Sequence, residues 1–544
     1  MRKFSLYLGA AVLLLGSAWG IALAQVSQEW VARYDGPWQY IDEAVKVIAD
    51  EQGYVYVTGS SYAAISDRDY LTIKYNADGV ELWTARFDGG ANGQDITRDM
   101  AVDAYGNVYV TGAVSTFSFD STWDWGTVKY DPAGNQLWAA YYQGPLTYLD
   151  HAYSLAVDSA QNVYVVGITD LSPYYETANF TTIKYDQAGN VVWNNTYDSG
   201  IHDEDRGKDI ALDQEGNVCV VGYSMLQSGH FGILTIKYNS AGARQWLTIY
   251  DGEVDISVPL QLTLDGSGNV FVATTEFSSG AGDYFMIKYN PEGVQQWTTR
   301  HSSQVGSSND FFWGGLAVDE AGDAYLTGST TGADFDDMTT VKFNSAGELQ
   351  WAASETPGVG KDVAVDGQGN VYATGGAGAS YGGFHTLKYD SVGQELWEMY
   401  YSYSSVNPQM AISIALDSSR NVFVTGQSKT FPTNTDYATV KYAQDVSTVP
   451  LQPQCLPKEF VLYPPSPNPF NPSTALSFEL RAASPVSLKV YDTAGRLVAT
   501  LVDGWREAGI HETVFDGSKL PSGIYLARLT AGDFSAGQKL VLMK

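Results

Sequence analysis

The stretch TIKYNADGVELW, Thr72–Trp83, returns seven times along this chain with small changes. Its lysine therefore occupies eight equivalent positions, which are Lys74, Lys129, Lys184, Lys237, Lys288, Lys342, Lys388 and Lys441. In the first seven copies a tryptophan follows nine residues later, and a glycine stands four residues before that tryptophan. Glycine adopts the positive φ that closes a tight turn, so the stretch predicts a β-hairpin.

A second hairpin motif lies upstream of each copy. AVDAYGNVYVTG, Ala101–Gly112, recurs throughout as an Asp-initiated turn followed by a short strand with Val on one side and Tyr or Val on the other. Strands that are apolar on both sides are expected to be buried on both faces. Each unit thus predicts four short strands, and sheets of this kind in series are typical of blades packed around an axis.

The count of strands predicts how such a ring closes. The first three strands of the unit occur eight times, but only seven copies continue into the tryptophan strand. The missing strand stands at the other end of the propeller segment, where EWVARYDG with Trp30 is similar to LWTARFDG with Trp83. We therefore expect an all-β fold, an eight-bladed β-propeller over residues 25–445 whose N-terminal strand closes the last blade.

The repeats resemble the bacterial SBBP-type β-propeller repeat, with its AVD and GNVYVTG segments and a variable loop. The resemblance covers about residues 25–442. It implies a propeller and no particular activity, because propellers serve many functions.

The remaining segments indicate export. Residues 1–24 have the charged start, the short apolar run and the small-x-small cleavage site of a signal peptide, and no later run is apolar enough to span a membrane. Residues 446–459 form a Pro-rich linker, and short alternating strands in residues 460–544 predict a small Ig-like β-sandwich. The two cysteines, Cys219 and Cys455, imply no disulfide framework.

The C-terminal segment carries a specific set of short motifs: Asn468 to Pro472 (NPFNP), Val490 to Asp492 (VYD), Gly495-Arg496, Ser522 to Tyr525 (SGIY) and the terminal Lys539 to Lys544. In these it resembles the type A C-terminal sorting domain of the type IX secretion system. The resemblance implies that residues 460–544 engage the type IX machinery and direct the protein to the outer cell surface or the medium.

The net charge of the propeller segment excludes some classes of binding partner. Residues 25–445 hold 20 basic and 53 acidic residues. A net charge of −33 repels nucleic acid and favours cations or neutral ligands, although exported proteins also use such charge for solubility.

Residues present in every blade are first packing or turn residues. We therefore interpret the recurrent lysines as ties between blades, each expected to pair with a recurrent Asp, and not as an anion site. YDPAGNQLW resembles the Trp-docking repeat of quinoprotein dehydrogenases, but the vicinal disulfide typical of those enzymes has no counterpart here. No organic cofactor is expected.

A site should instead use residues that break the repeat. An Asp stands eight residues before the AVD aspartate in four consecutive blades, as Asp42, Asp95, Asp150 and Asp205, with His151 and His202 nearby. These groups are candidates for an arc at the channel mouth, where Asp95, Asp150 and Asp205 would hold calcium or two carboxylates would act as an acid/base pair. The alternative is that each Asp caps a turn at a strand start.

Aromatic residues of the variable segments complete this candidate binding face: Phe117, Trp123, Trp125, Tyr174, Tyr175 and Trp313. Exposed aromatic rings beside carboxylates suit sugars or peptides, whereas the alternative is that they cover blade edges.

The function predicted from these features is non-catalytic binding of a glycan, peptide or surface partner. The alternatives are a polysaccharide lyase or hydrolase using the carboxylates or histidines, and a structural surface-layer component.

Overall fold

The computed structural model describes residues 26–544 except 37–39, 65–66, 91–92, 116–122, 146–148, 172–177, 201–203, 253–259, 279–280, 303–310, 332–335, 378–381, 403–408, 431–433, 445–460, 464, 466, 481–483, 507–508 and 532–533. The predicted signal peptide and linker lie outside the described residues. By its internal contacts the chain divides into a unit of Gln25–Gln444 and a second unit that contains Asp445–Lys544.

The described part of the larger unit is built from β-strands and contains no helix. Its strands are β1 (Val26–Tyr34), β2 (Glu43–Ala49), β3 (Val55–Ala64), β4 (Asp67–Tyr75), β5 (Glu81–Phe87), β6 (Ile96–Val102), β7 (Val108–Ser115), β8 (Trp123–Tyr130), β9 (Gln136–Tyr142), β10 (Leu149–Val157), β11 (Val163–Leu171), β12 (Asn179–Tyr185), β13 (Val191–Tyr197), β14 (Asp205–Leu212), β15 (Val218–Met225), β16 (Phe231–Tyr238), β17 (Arg244–Tyr250), β18 (Gln261–Leu264), β19 (Val270–Ser278), β20 (Ala281–Tyr289), β21 (Gln295–His301), β22 (Phe311–Val318), β23 (Ala324–Thr331), β24 (Asp336–Phe343), β25 (Leu349–Glu355), β26 (Gly358–Val365), β27 (Val371–Ala377), β28 (Gly383–Tyr389), β29 (Glu395–Tyr401), β30 (Gln409–Leu416), β31 (Val422–Thr430) and β32 (Asn434–Gln444).

These strands form four-stranded antiparallel sheets in series, from β2-β3-β4-β5 to β26-β27-β28-β29, followed by β30-β31-β32 with β1. The first strand of each sheet, which we call the inner strand, contacts the inner strands of the sheets before and after it. The sequence of contacts runs β2, β6, β10, β14, β18, β22, β26, β30 and returns to β2. The sheets are therefore propeller-like blades whose inner strands surround a common axis.

The N-terminal strand completes the last sheet, as the repeat pattern predicts. β1 pairs antiparallel with β32, in a register that sets Trp30 opposite Lys441 and Val31 opposite Val440. The corresponding pairs in the first sheet are Trp83 with Lys74 and Thr84 with Ile73. The seam between the last and first sheets is filled by buried side chains from both, including Phe423 and Tyr437 against Val57 and Ile73.

The recurrent tryptophan packs on the hairpin turn of the next sheet. Trp83 Nε1 donates a hydrogen bond of 3.0 Å to the carbonyl of Pro132. Its indole lies over Gly134, where an added Cβ would be 2.7 Å from the Trp83 ring. Gly134 also has φ +86°, a conformation that disfavours side chains. Glycine is thus required at this position for two reasons. Its turn needs a positive φ, and the tryptophan of the preceding sheet leaves no room for a side chain.

The recurrent lysines tie neighbouring sheets together, as predicted. Lys184 Nζ donates to the carbonyl of Ser240 in the next turn at 2.9 Å, and Lys441 Nζ reaches Ala77 across the seam at 3.1 Å. The predicted pairing with a recurrent Asp holds only in some sheets, such as Lys237 with Asp213 at 2.8 Å. The backbone carbonyl of the next turn is the more general partner, because it needs no particular side chain.

The AVD aspartate organises the other hairpin. Asp103 Oδ1 accepts the backbone N–H groups of Tyr105 and Asn107, each at 2.9 Å. Its second oxygen, Oδ2, accepts the Tyr109 hydroxyl at 2.9 Å. One carboxylate therefore closes the turn and fixes the tyrosine of the following strand, which explains why AVD and NVY occur together.

The C-terminal unit is described by itself. Its strands are β33 (Val461–Leu462), β34 (Ser473–Leu480), β35 (Ser484–Asp492), β36 (Leu497–Arg506), β37 (Gly509–Asp516), β38 (Gly523–Ala531) and β39 (Phe534–Leu542). They form two antiparallel sheets, in the orders β33-β34-β37 and β36-β35-β38-β39. Both sheets contribute to one core, which includes Phe478, Leu488, Leu529 and Leu540. In neither unit does the structure describe a helix with the length and apolarity to cross a membrane.

Candidate functional site

The four repeat-breaking aspartates hold loops in place. Asp42, Asp95, Asp150 and Asp205 are all at most 2% exposed. In each case Oδ2 accepts the backbone N–H of the residue six positions earlier, at 2.6 to 2.7 Å. The described residue before each loop is thereby bonded to the start of the inner strand that follows it. The expectation of an exposed carboxylate arc is wrong for these side chains, and the alternative, capping at strand starts, describes what they do.

Asp95 illustrates how these carboxylates are held. Its two oxygens accept the N–H groups of Gly89 and Ser115 at 2.6 and 2.9 Å. Burial nevertheless raises the pKa of Asp95 to about 7, and the two N–H groups oppose that shift. Oxygen atoms of Asp69, Asp88 and Asp95 lie within 4.8 Å of one another, but Arg86 already places a guanidinium nitrogen 3.0 Å from Asp69. Arg86 thus pairs one of the three carboxylates, and the calcium site expected at Asp95, Asp150 and Asp205 stays a prediction.

The predicted aromatic residues separate into different environments. Trp125 is fully buried, and its Nε1 donates to the carbonyl of Ile168 at 2.9 Å, so its assignment to an exposed binding face is wrong. Trp123, two residues earlier, is partly exposed and stacks on His151 with ring centroids 5.1 Å apart. The remaining candidates, His202, Phe117, Tyr174, Tyr175 and the side chain of Trp313, lie outside the described residues.

A β-bulge recurs in the inner strands, five residues before the AVD aspartate. In six of them one residue is skipped in the pairing with the next strand, and the bulged residues are Val45, Arg98, Tyr153, Lys208, Lys361 and Ile412. The bulged residue and its successor are both at least partly exposed in β2, β6, β14 and β26. A bulge breaks the two-residue alternation, so two successive side chains point away from the blade core and toward the axis.

The residues that follow the bulges form a hydrogen-bonded layer across the axis. Ser154 Oγ lies 2.9 Å from a carboxylate oxygen of both Asp99 and Asp209, which belong to the sheets on either side. Lys46 Nζ is 3.6 Å from Asp99, and the pKa of Lys46 is raised because Asp99, Asp362 and Asp209 all act on it. Burial raises the pKa of Asp209 to about 6. This layer joins consecutive sheets at their inner strands.

The bulged residues of β6, β10 and β14 form a compact basic patch beside that layer. The guanidinium carbon of Arg98 lies 5.6 Å from the centre of the Tyr153 ring, and Lys208 Nζ lies 4.4 Å from it. Two cations thus share one aromatic ring. Among the described residues neither cation has a carboxylate within ion-pair distance, whereas the nearby Arg206 is paired with Glu204.

His151 and Trp123 extend this patch. The His151 ring lies 6.3 Å from that of Tyr153, and burial together with Arg98, Lys208 and Arg206 lowers the pKa of His151 to about 4. The imidazole is therefore neutral at ordinary pH. Its Nε2 is buried and has no hydrogen-bond partner among the described residues. We call Arg98, Trp123, His151, Tyr153 and Lys208 the axial patch.

The axial patch has the chemistry to bind an anion and a flat ring. It combines aromatic faces with two cations that no carboxylate of the described residues pairs, and with one imidazole nitrogen that is unsatisfied among them. Sequence reasoning found Trp123 and His151 and missed the other three residues. A signal was present, since Arg98, Tyr153 and Lys208 occupy one position of the repeat at which most blades carry different residues.

Comparison with known families identifies both units. Residues 465–543 match the secretion system C-terminal sorting domain, and residues 82–113 and 296–336 match the beta-propeller repeat called SBBP. The chain therefore carries SBBP propeller repeats and a type IX sorting domain, and it is an exported protein of the cell surface.

Individual relatives are distant. A WD repeat-containing protein of Acanthamoeba polyphaga mimivirus is 28% identical over 135 residues, which are 21% of this chain and only 8% of that protein. Among solved structures, PorZ of Porphyromonas gingivalis, a surface component of the type-IX secretion system, is 13% identical with a TM-score of 0.38, over 92% of this chain and 70% of that one. Sqt1 of Chaetomium thermophilum, bound to the N-terminus of ribosomal protein L10, is 10% identical with a TM-score of 0.49, over 77% and 100%.

Proposed function

We propose that the protein is a surface-delivered binding module without catalytic activity. In this proposal residues 25–445 form a closed eight-bladed propeller, residues 446–459 a linker, and residues 460–544 an Ig-like sorting domain handled by the type IX machinery. The proposal places the ligand, a glycan or a protein of the cell surface, on the axial patch. The ring of inner-strand contacts and the β1–β32 pairing support the closed ring.

The observation that carries the binding role is the axial patch itself. Trp123, His151 and Tyr153 bring three aromatic rings together, and two of them lie on one inner strand. They stand beside cations at a position where the repeat changes from blade to blade. Residues that differ between blades and lie close together in space are available to bind a ligand. Residues that recur in every blade serve the packing of the sheets.

Binding is favoured over turnover by the state of the carboxylates. Asp42, Asp95, Asp150 and Asp205 are each committed to a backbone N–H group of their own loop. A general acid or base must reach the proton that it transfers, and a buried loop-closing carboxylate does not. The hydrolase or lyase alternative thus loses the four carboxylates that it was expected to use and is left with the histidines, of which His202 lies outside the described residues.

The test is a binding assay of the mature full-length protein against glycans and cell-surface material, with and without calcium. We expect Trp123→Ala to abolish binding and Tyr105→Ala to leave it intact, because Tyr105 is 68% exposed on a hairpin turn outside the patch. Bound ligand should be recovered uncleaved. Retained binding in Trp123→Ala would exclude the axial patch, and cleaved product would favour the enzyme alternative.

A further inference from the structure

The axial patch holds two cations, Arg98 and Lys208, with no carboxylate of the described residues at ion-pair distance from either. Arg98 and Lys208 lie over the same Tyr153 ring at 5.6 and 4.4 Å, and Arg206 is close enough to act on both His151 and Lys208. Glu204 is already paired with Arg206. Two cations around one ring repel each other, and an anion bound beside both relieves that repulsion. Residues 25–445 are strongly acidic as a whole, with a net charge of −33, so this concentration of cations is local.

Burial increases the free-energy cost of keeping both Arg98 and Lys208 charged. The pKa of Lys208 is lowered to about 8, first by burial and then by Arg206 and Arg98, while Glu204 opposes the shift. His151 stays neutral for the same reason and offers a hydrogen bond instead of a third charge. A bound carboxylate would accept hydrogen bonds from both cations and relieve their repulsion.

We infer that the ligand of the axial patch is a carboxylated sugar, with its carboxylate held between Arg98 and Lys208 and its ring near Trp123 and His151. This inference rests on the proposed binding function and names its ligand class. A guanidinium matches the two oxygens of a carboxylate, and the ammonium adds a point charge beside it. The partly exposed ring of Trp123, which stacks on His151, suits the apolar face of a sugar ring.

The same observations disfavour a polyanion. A nucleic acid or an extensively acidic protein would bring many negative charges close to a surface with a net charge of −33. A sugar acid with one carboxylate is otherwise neutral and rich in hydroxyl groups, and its single negative charge suits a site that contains two cations. The C-terminal carboxylate of a peptide is the competing monoanion, and it serves as a separate arm of the test.

The experiment uses the mature full-length protein and a matched ligand pair. The probes are the methyl glycoside of galacturonic acid, which carries one carboxylate, and its methyl ester, which keeps the sugar ring and removes the charge. An array of other glycans with a single carboxylate, and their esters, is tested beside them. The variant is Arg98→Gln with Lys208→Gln. Its control is Arg244→Gln with Lys429→Gln, which removes the same charge at two exposed positions outside the patch.

The expected result is binding of one or more carboxylated glycans, with the ester at least about tenfold weaker, since a hydrogen bond to a charged group is worth about that factor. Arg98→Gln with Lys208→Gln should lose about tenfold or more, and the control should lose less than about twofold. Circular dichroism and the melting temperature establish that both variants are folded.

Three results would overturn the inference. Equal binding of acid and ester, with loss in Trp123→Ala only, would leave the proposed binding function standing and exclude the carboxylate. Binding of acidic C-terminal peptides instead of glycans would replace the sugar by a protein ligand. No Trp123-dependent binding to any glycan, peptide or cell-surface material would remove the proposed function together with the inference.

Discussion

The closure of the ring can be tested by locking the seam covalently. Val31 in β1 and Val440 in β32 are directly opposed, so the double change Val31→Cys, Val440→Cys places two thiols at the distance of paired strands. The matched control is Ile73→Cys, Thr84→Cys, which is the equivalent pair between β4 and β5 inside the first sheet. Both are made in a Cys455→Ser background, and Cys219 is left in place because it is fully buried.

The two disulfides close loops of very different length. The seam disulfide encloses roughly 410 residues, for which the loss of unfolded-state entropy stabilises the fold by about 6 kcal/mol. The control encloses about 12 residues, which corresponds to about 3 kcal/mol. The two pairs occupy equivalent positions in their sheets, so strain in the disulfide bond largely cancels when the two variants are compared. The seam disulfide should therefore stabilise by about 3 kcal/mol more than its control.

The assay is urea unfolding of each variant, oxidised and reduced, followed by tryptophan fluorescence. Comparing the two redox states of one protein removes the cost of the substitutions themselves. A seam disulfide that does not form, or that stabilises no more than the control, would refute the pairing of β1 with β32 as the closure of the ring.

Three further predictions concern single residues. Gly216→Ala, at φ +76° with open space around it, should cost about 1 kcal/mol, and Gly134→Ala about 2 to 4 kcal/mol, because its Cβ would meet Trp83; urea unfolding measures both. Affinity for a carboxylated ligand should fall as pH rises through about 8, where Lys208 loses its proton, and titration calorimetry of Lys208→Arg should show no such fall. The folded-state pKa of His151, about 4, lies below its ordinary 6.5, so the unfolded chain binds the extra proton between these values. Stability should drop with falling pH in that window, less so in His151→Gln.

Repetition made the fold predictable from the sequence. The positions of lysine, tryptophan and glycine indicated hairpins, their number indicated where the last strand comes from, and β1 pairs where it was expected. The partner of the lysines was harder to predict, because a backbone carbonyl of the next turn leaves no trace in side-chain identity.

The candidate site was predicted less well, for two physical reasons. Trp125 falls at the position of Tyr70 and Phe180, which are also buried, so the repeat itself marked it as a core residue. The axial patch depends on bulges, which shift the register by one residue and reverse the side to which a side chain points. A pattern of alternating polar and apolar residues does not reveal such a shift.

The recurrent bulge also allows one side chain of each inner strand to vary without a change in the packing between sheets. The bulged residue takes no part in the pairing of its strand and lies outside the blade core. That position therefore accepts side chains of different kinds, which in the six bulged strands are Val45, Arg98, Tyr153, Lys208, Lys361 and Ile412. Exchanging these six residues would alter the chemistry of the axis while the joints between sheets stay as they are. The scaffold is thus suited to acquiring new ligands by point substitution, and to redesign in the laboratory by the same route.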